Sequence, residues 1–222
     1  MAICSWYVRV RRGRLRWARL AGDFLVAVLL VGRCTAQGPG SYSIEPRSSR
    51  IEIRVFRGGL LGGFGDNHVV MLGSFSGTAE ASGGSPWRVH VLGDSGSLRV
   101  VDPGASTSTR EQVQQTMLGA TVLDASRYKI IELQSRSLAP GESDRSWRML
   151  ADITLHGVTR QEEFPLRWEQ EAGRLQVRGS RKLLLRDFGI QPPRVAMGTI
   201  KVRDEFELVY DITLQRAVTS DK

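Results

Sequence analysis

Apolar and polar residues alternate with a period of two along most of the chain after residue 50. In the first such run, Ile51, Ile53 and Val55 fall on one face and charged residues fall on the other. Successive side chains of a strand point to opposite sides of a sheet, so this period predicts strands with one buried face. The longest run covers residues 199–214, and its apolar residues stay in phase: Ile200, Val202, Phe206, Leu208, Tyr210 and Ile212.

Turn residues divide the chain into about nine strand-like runs. After the first come residues 68–77, 87–92, 98–101, 128–137, 147–155, 163–168, 175–185 and 199–214. No repeat of helix and strand runs along the chain, which disfavours a parallel α/β fold. We predict an all-β fold of about eight antiparallel strands, a closed barrel or a sandwich, since closure removes exposed edges. The interior of such a barrel either fills with side chains or holds one small ligand.

One segment breaks the alternation. Residues 108–118 are mostly good helix formers. We predict a short helix here, with Ser108 or Thr109 as its N-cap and Gly119 at its C-terminal end. We expect this helix to lie across the mouth or the side of the barrel.

The first 36 residues differ from the rest in charge and in pattern. Seven arginines and one acid, Asp23, give them six of the eight net positive charges of the chain. An apolar run over residues 24–32 follows, too short for a transmembrane helix, and then small residues from Cys34 to Ala36. We predict a signal peptide over residues 1–36, cut after Ala36, and a bacterial periplasmic or secreted protein. The alternatives are a misassigned start codon, an uncleaved anchor and lipoprotein processing at Cys34.

The remaining chain is close to neutral and contains no cysteine, because Cys4 and Cys34 both lie in the first segment. This excludes disulfides and thiolate metal sites from the body and disfavours a nucleic-acid partner. Hydrophobic residues make up 41% of the chain and charged residues 24%, which is typical of a globular domain and predicts no transmembrane span in the mature chain. We interpret residues 37–48 as a linker or first edge strand, 49–216 as the barrel and 217–222 as a tail.

Candidate residues for chemistry are few, and we predict no catalytic site, no metal and no cofactor. The histidines His68, His90 and His156 lack the spacing of metal ligands, and Phe75 stands where a nucleophile elbow needs serine. His156 fits a hairpin turn, and His90 fits a solvent-facing position or a polar slot in the barrel.

His68 is the strongest of the three candidates. A glycine-rich loop precedes it and delivers Asp66, Asn67 and His68 together into a strand. These side chains could orient a polar headgroup or, with less support, a metal. The alternative is a loop network that satisfies its own hydrogen bonds.

Five stretches carry a family resemblance in their order along the chain. They are residues 42–51, 65–68, 128–135, 151–160 and 186–190, and the last two contain Leu-His-Gly-Val-Thr and Arg-Asp-Phe-Gly-Ile. Together they resemble the YceI-like family of exported, polyisoprenoid-binding proteins. Lys129 and Leu133 depart from the family's proline and phenylalanine, and Ser48, Ser49 and Arg57 stand where many members have histidines.

The resemblance implies a lipocalin-like barrel around a long isoprenoid chain, such as a polyprenol or a quinone tail. We therefore expect a non-enzymatic binding or carrier protein, since burial of an apolar tail is favourable. The candidate ligand-binding residues are Ile51, Ile53, Val55, Phe64, His68, Ile131, Leu133, Phe188, Ile200, Phe206 and Leu208.

Several alternatives stay open from the sequence. The barrel could be the scaffold of an envelope stress-related interaction module, or a lipid- or quinone-modifying enzyme that uses His68 and Asp66. The same alternation would also result from a collapsed core without a cavity. A homodimer is a further expectation for a small envelope barrel.

Overall fold

The structure is a computed structural model that describes residues 40–58, 67–81, 87–171, 174–195 and 200–217. This part of the chain forms twelve strands and one α-helix. They are β1 (Gly40–Ile44), β2 (Arg50–Gly58), β3 (His68–Leu72), β4 (Phe75–Ala81), β5 (Arg88–Asp94), β6 (Leu98–Val100), α1 (Thr107–Leu118), β7 (Ile130–Pro140), β8 (Ser146–Leu155), β9 (Val158–Glu171), β10 (Arg174–Leu184), β11 (Arg194–Val195) and β12 (Ile200–Arg216).

The strands form one closed antiparallel barrel. Three wall strands are interrupted, so that β1 continues into β2, β3 into β4 and β5 into β6. β11 has two residues and pairs only with β12, so it is not counted as a wall strand. With each interrupted pair counted once, the described wall has eight strands, and each lies beside the next in sequence. The last strand, β12, pairs with β10 on one side and with β1 and β2 on the other, which closes the barrel. The prediction of a barrel of about eight strands with one short helix is confirmed.

Serine side chains replace backbone hydrogen bonds at the interruptions. Ser97 Oγ accepts from the N–H of Ser74 at 2.9 Å, and Ser49 Oγ accepts from the N–H of Thr213 at 2.9 Å. A buried backbone N–H needs a partner, and short hydroxyl side chains supply one where a ladder breaks. The wall therefore stays bonded where its strands are interrupted.

Most predicted strands shift by no more than three residues at either end, and three assignments differ by more than that. Gly40–Ile44 forms a wall strand that pairs with both β4 and β12, whereas the sequence suggested a linker or an edge. The predicted strand over residues 68–77 is two strands, β3 and β4. The strand predicted over residues 163–168 begins at Val158, because its first residues form a hairpin with β8.

The β8–β9 hairpin depends on a two-residue turn with positive φ at both residues, His156 at 52° and Gly157 at 73°. This is the backbone that a tight turn between right-twisted strands favours. His156 is thus a turn residue, as predicted, and its Nδ1 lies 3.2 Å from the carbonyl oxygen of Phe188.

The helix starts one residue before the predicted start and has a different cap. Ser106, not Ser108 or Thr109, is the N-cap, and its Oγ accepts from the N–H of Thr109 at 3.1 Å. Gly119 ends the helix as predicted. Gln114 docks the helix on the barrel, since its amide donates to the carbonyl of Leu98 at 2.6 Å and accepts from the N–H of Val100 at 2.8 Å. The helix thus completes the hydrogen bonding of β6.

The largest fully buried side chains are Phe164, Phe188 and Ile190. Phe188 belongs to the turn Leu185–Phe188 after β10, and Gly189 ends that turn with a φ of 71°. A left-handed residue of this kind lets the chain reverse directly behind a buried ring.

We predict that Phe188→Ala lowers the free energy of unfolding by about 3–5 kcal/mol, because the fully buried ring leaves a void. Urea denaturation followed by circular dichroism measures this change. The matched control is Leu184→Ala, because Leu184 is 41% exposed and the loss of its side chain should cost less than about 1 kcal/mol. Equal effects of the two substitutions would contradict the placement of Phe188 in the core.

Candidate functional site

The barrel encloses a cavity of about 500 Å³. All eight wall strands contribute apolar side chains to it, because the in-phase residues of each strand point inward. This volume lies within the range of roughly 300–1,000 Å³ that small-molecule sites occupy. The described strands therefore surround a cavity, and the alternative of a collapsed core without a cavity is excluded.

The structure places eight of the eleven predicted ligand-binding residues on the cavity wall. Phe188 is buried in the core and is not part of the lining. Phe64 and the side chain of Ile200 lie outside the described residues. The eight lining residues are Ile51, Ile53, Val55, His68, Ile131, Leu133, Phe206 and Leu208.

Other lining residues were not predicted. Trp87 and Trp168 lie on the wall, and the helix contributes Val113 and Met117. Trp168 is in phase with its strand neighbours Phe164 and Leu166, so the alternation contained a signal for it. The position of the helix over the cavity has no such signal, because it depends on tertiary docking.

The polar centre of the site is a pair formed by His68 and Asp102. His68 Nδ1 lies 2.5 Å from Asp102 Oδ2, and Asp102 Oδ1 accepts from the N–H of Val69 at 2.6 Å. The His68 side chain is 13% exposed and that of Asp102 is 3% exposed. His68 lines the cavity, whereas Asp102 lies in the segment between β6 and α1 and is not part of the lining. The carboxylate therefore fixes both the ring and the start of β3.

The sequence did not identify Asp102 as a partner of His68. It stands 34 positions away, in a segment that was interpreted as a turn between strands. The sequence suggested Asp66 and Asn67 instead. Asn67 is exposed, and Asp66 lies outside the described residues.

His90 forms a second histidine–carboxylate pair that does not line the cavity. Its Nε2 lies 2.7 Å from Glu132 Oε1, and the two side chains are 44% and 42% exposed. His90 thus faces solvent, which is one of the two positions predicted for it.

Tyr210 lines the cavity with its ring but turns its hydroxyl into the wall. The β9–β10 ladder stops after Arg178, and the Tyr210 hydroxyl donates to the Pro165 carbonyl beyond that point. Gly179 makes room for this contact, since a Cβ there would lie 2.4 Å from the hydroxyl oxygen. Burial raises the pKa of Tyr210 well above its usual value, so the hydroxyl stays protonated and remains a donor.

Two kinds of site are absent from the described residues. They contain no cluster of three or more His, Cys, Asp or Glu side chains that could hold a metal ion. In the same part of the chain, no helix combines the length and the apolar character needed to cross a membrane.

A closed barrel of this topology around an apolar cavity defines the class of lipocalin-like barrels. The profile of the YceI-like domain matches residues 42–214, so the chain belongs to this family. No curated protein sequence matches it.

Solved structures share the fold at low sequence identity. BcnA of Burkholderia cenocepacia superposes with a TM-score of 0.61 at 13% identity, over 77% of this chain and 98% of that one. A polyisoprenoid binding domain from Saccharophagus degradans, implicated in plant cell wall breakdown, gives 0.57 at 13% identity, over 79% and 98%. The YceI protein of Campylobacter jejuni gives 0.53 at 10% identity, over 67% and 84%.

We predict that Tyr210→Phe lowers the free energy of unfolding by about 1 kcal/mol at pH 7, because the hydrogen bond to Pro165 is lost. Because its pKa is raised in the folded protein, Tyr210 ionises at a lower pH in the unfolded chain than in the folded one. Its stabilising contribution is complete below about pH 10 and decreases above it, by about 1.4 kcal/mol per pH unit.

Urea denaturation of both proteins from pH 7 to pH 11 tests this account. The difference in free energy of unfolding between the wild-type protein and Tyr210→Phe should disappear about one pH unit above pH 10. A constant difference between the two proteins across this range would contradict the burial and bonding of the hydroxyl.

Proposed function

We propose that this protein binds an isoprenoid or another long-chain lipid inside the barrel and acts as an exported, non-enzymatic carrier. The observation that carries the proposal is the apolar cavity of about 500 Å³ within a closed wall. The polyisoprenoid binding domain of Saccharophagus degradans, which has the same fold, gives it further support. A quinone with a prenyl tail would fit the same lining. The homodimer remains a prediction from the sequence.

The energetics favour a long tail. Burial of each CH₂ group contributes about 0.8 kcal/mol, but the realised gain for larger ligands is closer to about 0.3 kcal/mol per atom. A tail of about 20 carbons then gives about 6 kcal/mol. A carrier that must retain its lipid in water is therefore better served by a tail of this length than by a shorter one.

The composition of the lining favours binding over chemistry. None of the described lining residues is a carboxylate, serine or cysteine, and the carboxylate that His68 contacts, Asp102, is not part of the lining. A nucleophilic mechanism needs a nucleophile that both the histidine and the substrate can reach, and the described lining offers no serine or cysteine for that role.

We predict that the mature protein, residues 37–222, purified gently from a bacterial envelope, shows an extra mass in native mass spectrometry that extracts into organic solvent as a prenyl lipid. Leu208→Trp should reduce the bound fraction several-fold, because Leu208 lies on the cavity wall and the larger side chain occupies its space. The matched control is Leu184→Trp on the exposed side of β10, which should retain the lipid.

A thermal melt of each variant separates loss of lipid from loss of fold. The proposal fails if the folded wild-type protein shows only the mass of the chain and takes up no added prenyl lipid.

Export is proposed from the basic, then apolar, then small-residue order of the first 36 residues. We expect the protein in the periplasmic or secreted fraction, with an N-terminus at Gln37 or within a few residues of it. Cell fractionation and N-terminal sequencing measure this. Val28→Arg, which interrupts the apolar run, should retain the protein in the cytoplasm. An intact N-terminus on wild-type protein in the cytoplasm would contradict export.

A further inference from the structure

We infer that His68 binds the headgroup of the lipid, and that this headgroup is neutral and bears a hydroxyl, as in a long-chain alcohol or a phenol. The inference rests on the proposed function and specifies the ligand of the same cavity. It is carried by the buried His68–Asp102 pair and by the composition of the lining around it.

The bonding of Asp102 determines which nitrogen of His68 carries the proton. Its Oδ1 accepts from the N–H of Val69, and its Oδ2 lies 2.5 Å from His68 Nδ1. A carboxylate can only accept, so Nδ1 carries the proton and donates it. In the neutral imidazole, Nε2 is then an acceptor.

This second nitrogen has no hydrogen-bond partner among the described residues. His68 is part of the cavity lining, in which most of the other described residues are apolar. A long-chain ligand that fills the cavity displaces water from this nitrogen. An acceptor that loses water without gaining a partner is unfavourable, which favours a ligand whose headgroup donates to it. A hydroxyl at the end of an apolar tail is such a donor.

The surroundings of His68 disfavour a phosphate headgroup. No lysine or arginine is found among the described lining residues. Arg110, on α1, donates to the backbone carbonyl of Asp102 at 3.3 Å and to Thr107 Oγ1 at 3.4 Å. Its guanidinium group therefore already has partners outside the lining. The Asp102 carboxylate adds a negative charge behind the histidine. Transfer of a charged phosphate into this environment would be costly without a compensating cation.

Three ligands with one tail test the inference: geranylgeraniol, its methyl ether and its monophosphate. Titration against the full chain is followed by tryptophan emission, since Trp87 and Trp168 line the cavity. The alcohol should bind about fivefold to tenfold more tightly than the ether, which cannot donate, and also more tightly than the phosphate.

Two variants test the role of the pair. His68→Phe removes the acceptor and should abolish the preference for the alcohol while the ether still binds. In Asp102→Asn the amide oxygen can still accept from Val69, so its NH₂ group faces Nδ1 and donates to it. The proton of His68 then moves to Nε2, which becomes a donor that alcohol and ether accept equally. The matched control His90→Phe removes the exposed pair on the outer wall and should leave the preference unchanged.

The possible results separate this inference from the proposed function. Equal affinity of the wild-type protein for alcohol and ether, or tighter binding of the phosphate, overturns the headgroup assignment while lipid binding stands. A preference that persists in His68→Phe also overturns it. If none of the three ligands binds the folded wild-type protein, the proposed function fails as well. The wild-type comparison needs no substitution, so misfolding of a variant does not prevent the test.

Discussion

The hydrogen bonds that β12 makes on both sides close the sheet, and the rest of the structure depends on this closure. A closed sheet has no free edge and no second layer, so the inward faces of its strands must meet one another. The alternating apolar residues are therefore directed to one interior. Because that interior retains a cavity of about 500 Å³, the fold creates the candidate site without any dedicated binding element.

The cavity stays apolar because the wall satisfies its own polar groups. The Tyr210 hydroxyl bonds to the Pro165 carbonyl, and the Gln114 amide bonds to the backbone of β6. His68 differs from these groups, because Asp102 bonds to only one of the two ring nitrogens of His68. The described interior thus combines a mostly apolar lining with a histidine that Asp102 orients, which is the arrangement from which we propose binding of an amphipathic chain.

Much of this arrangement follows from the alternation in the sequence, and the rest depends on distant contacts. The phase of Ile51, Ile53 and Val55 predicts which side chains face the cavity, because the period of two is a local property of a strand. The pairing of His68 with Asp102 brings together residues 34 positions apart, and no local pattern encodes it. The wall position of β1 likewise depends on its pairing with β12 at the far end of the chain.

The most direct test of the central claim is to locate a bound prenyl lipid by nuclear Overhauser effects between its tail and leucine methyl groups. The account predicts contacts to Leu133 and Leu208 on the cavity wall and none to Leu92 and Leu184, which are exposed on the outside of the barrel. Contacts confined to the two outer leucines, with none to the cavity wall, would show that the lipid binds the surface and would contradict a carrier that encloses its ligand.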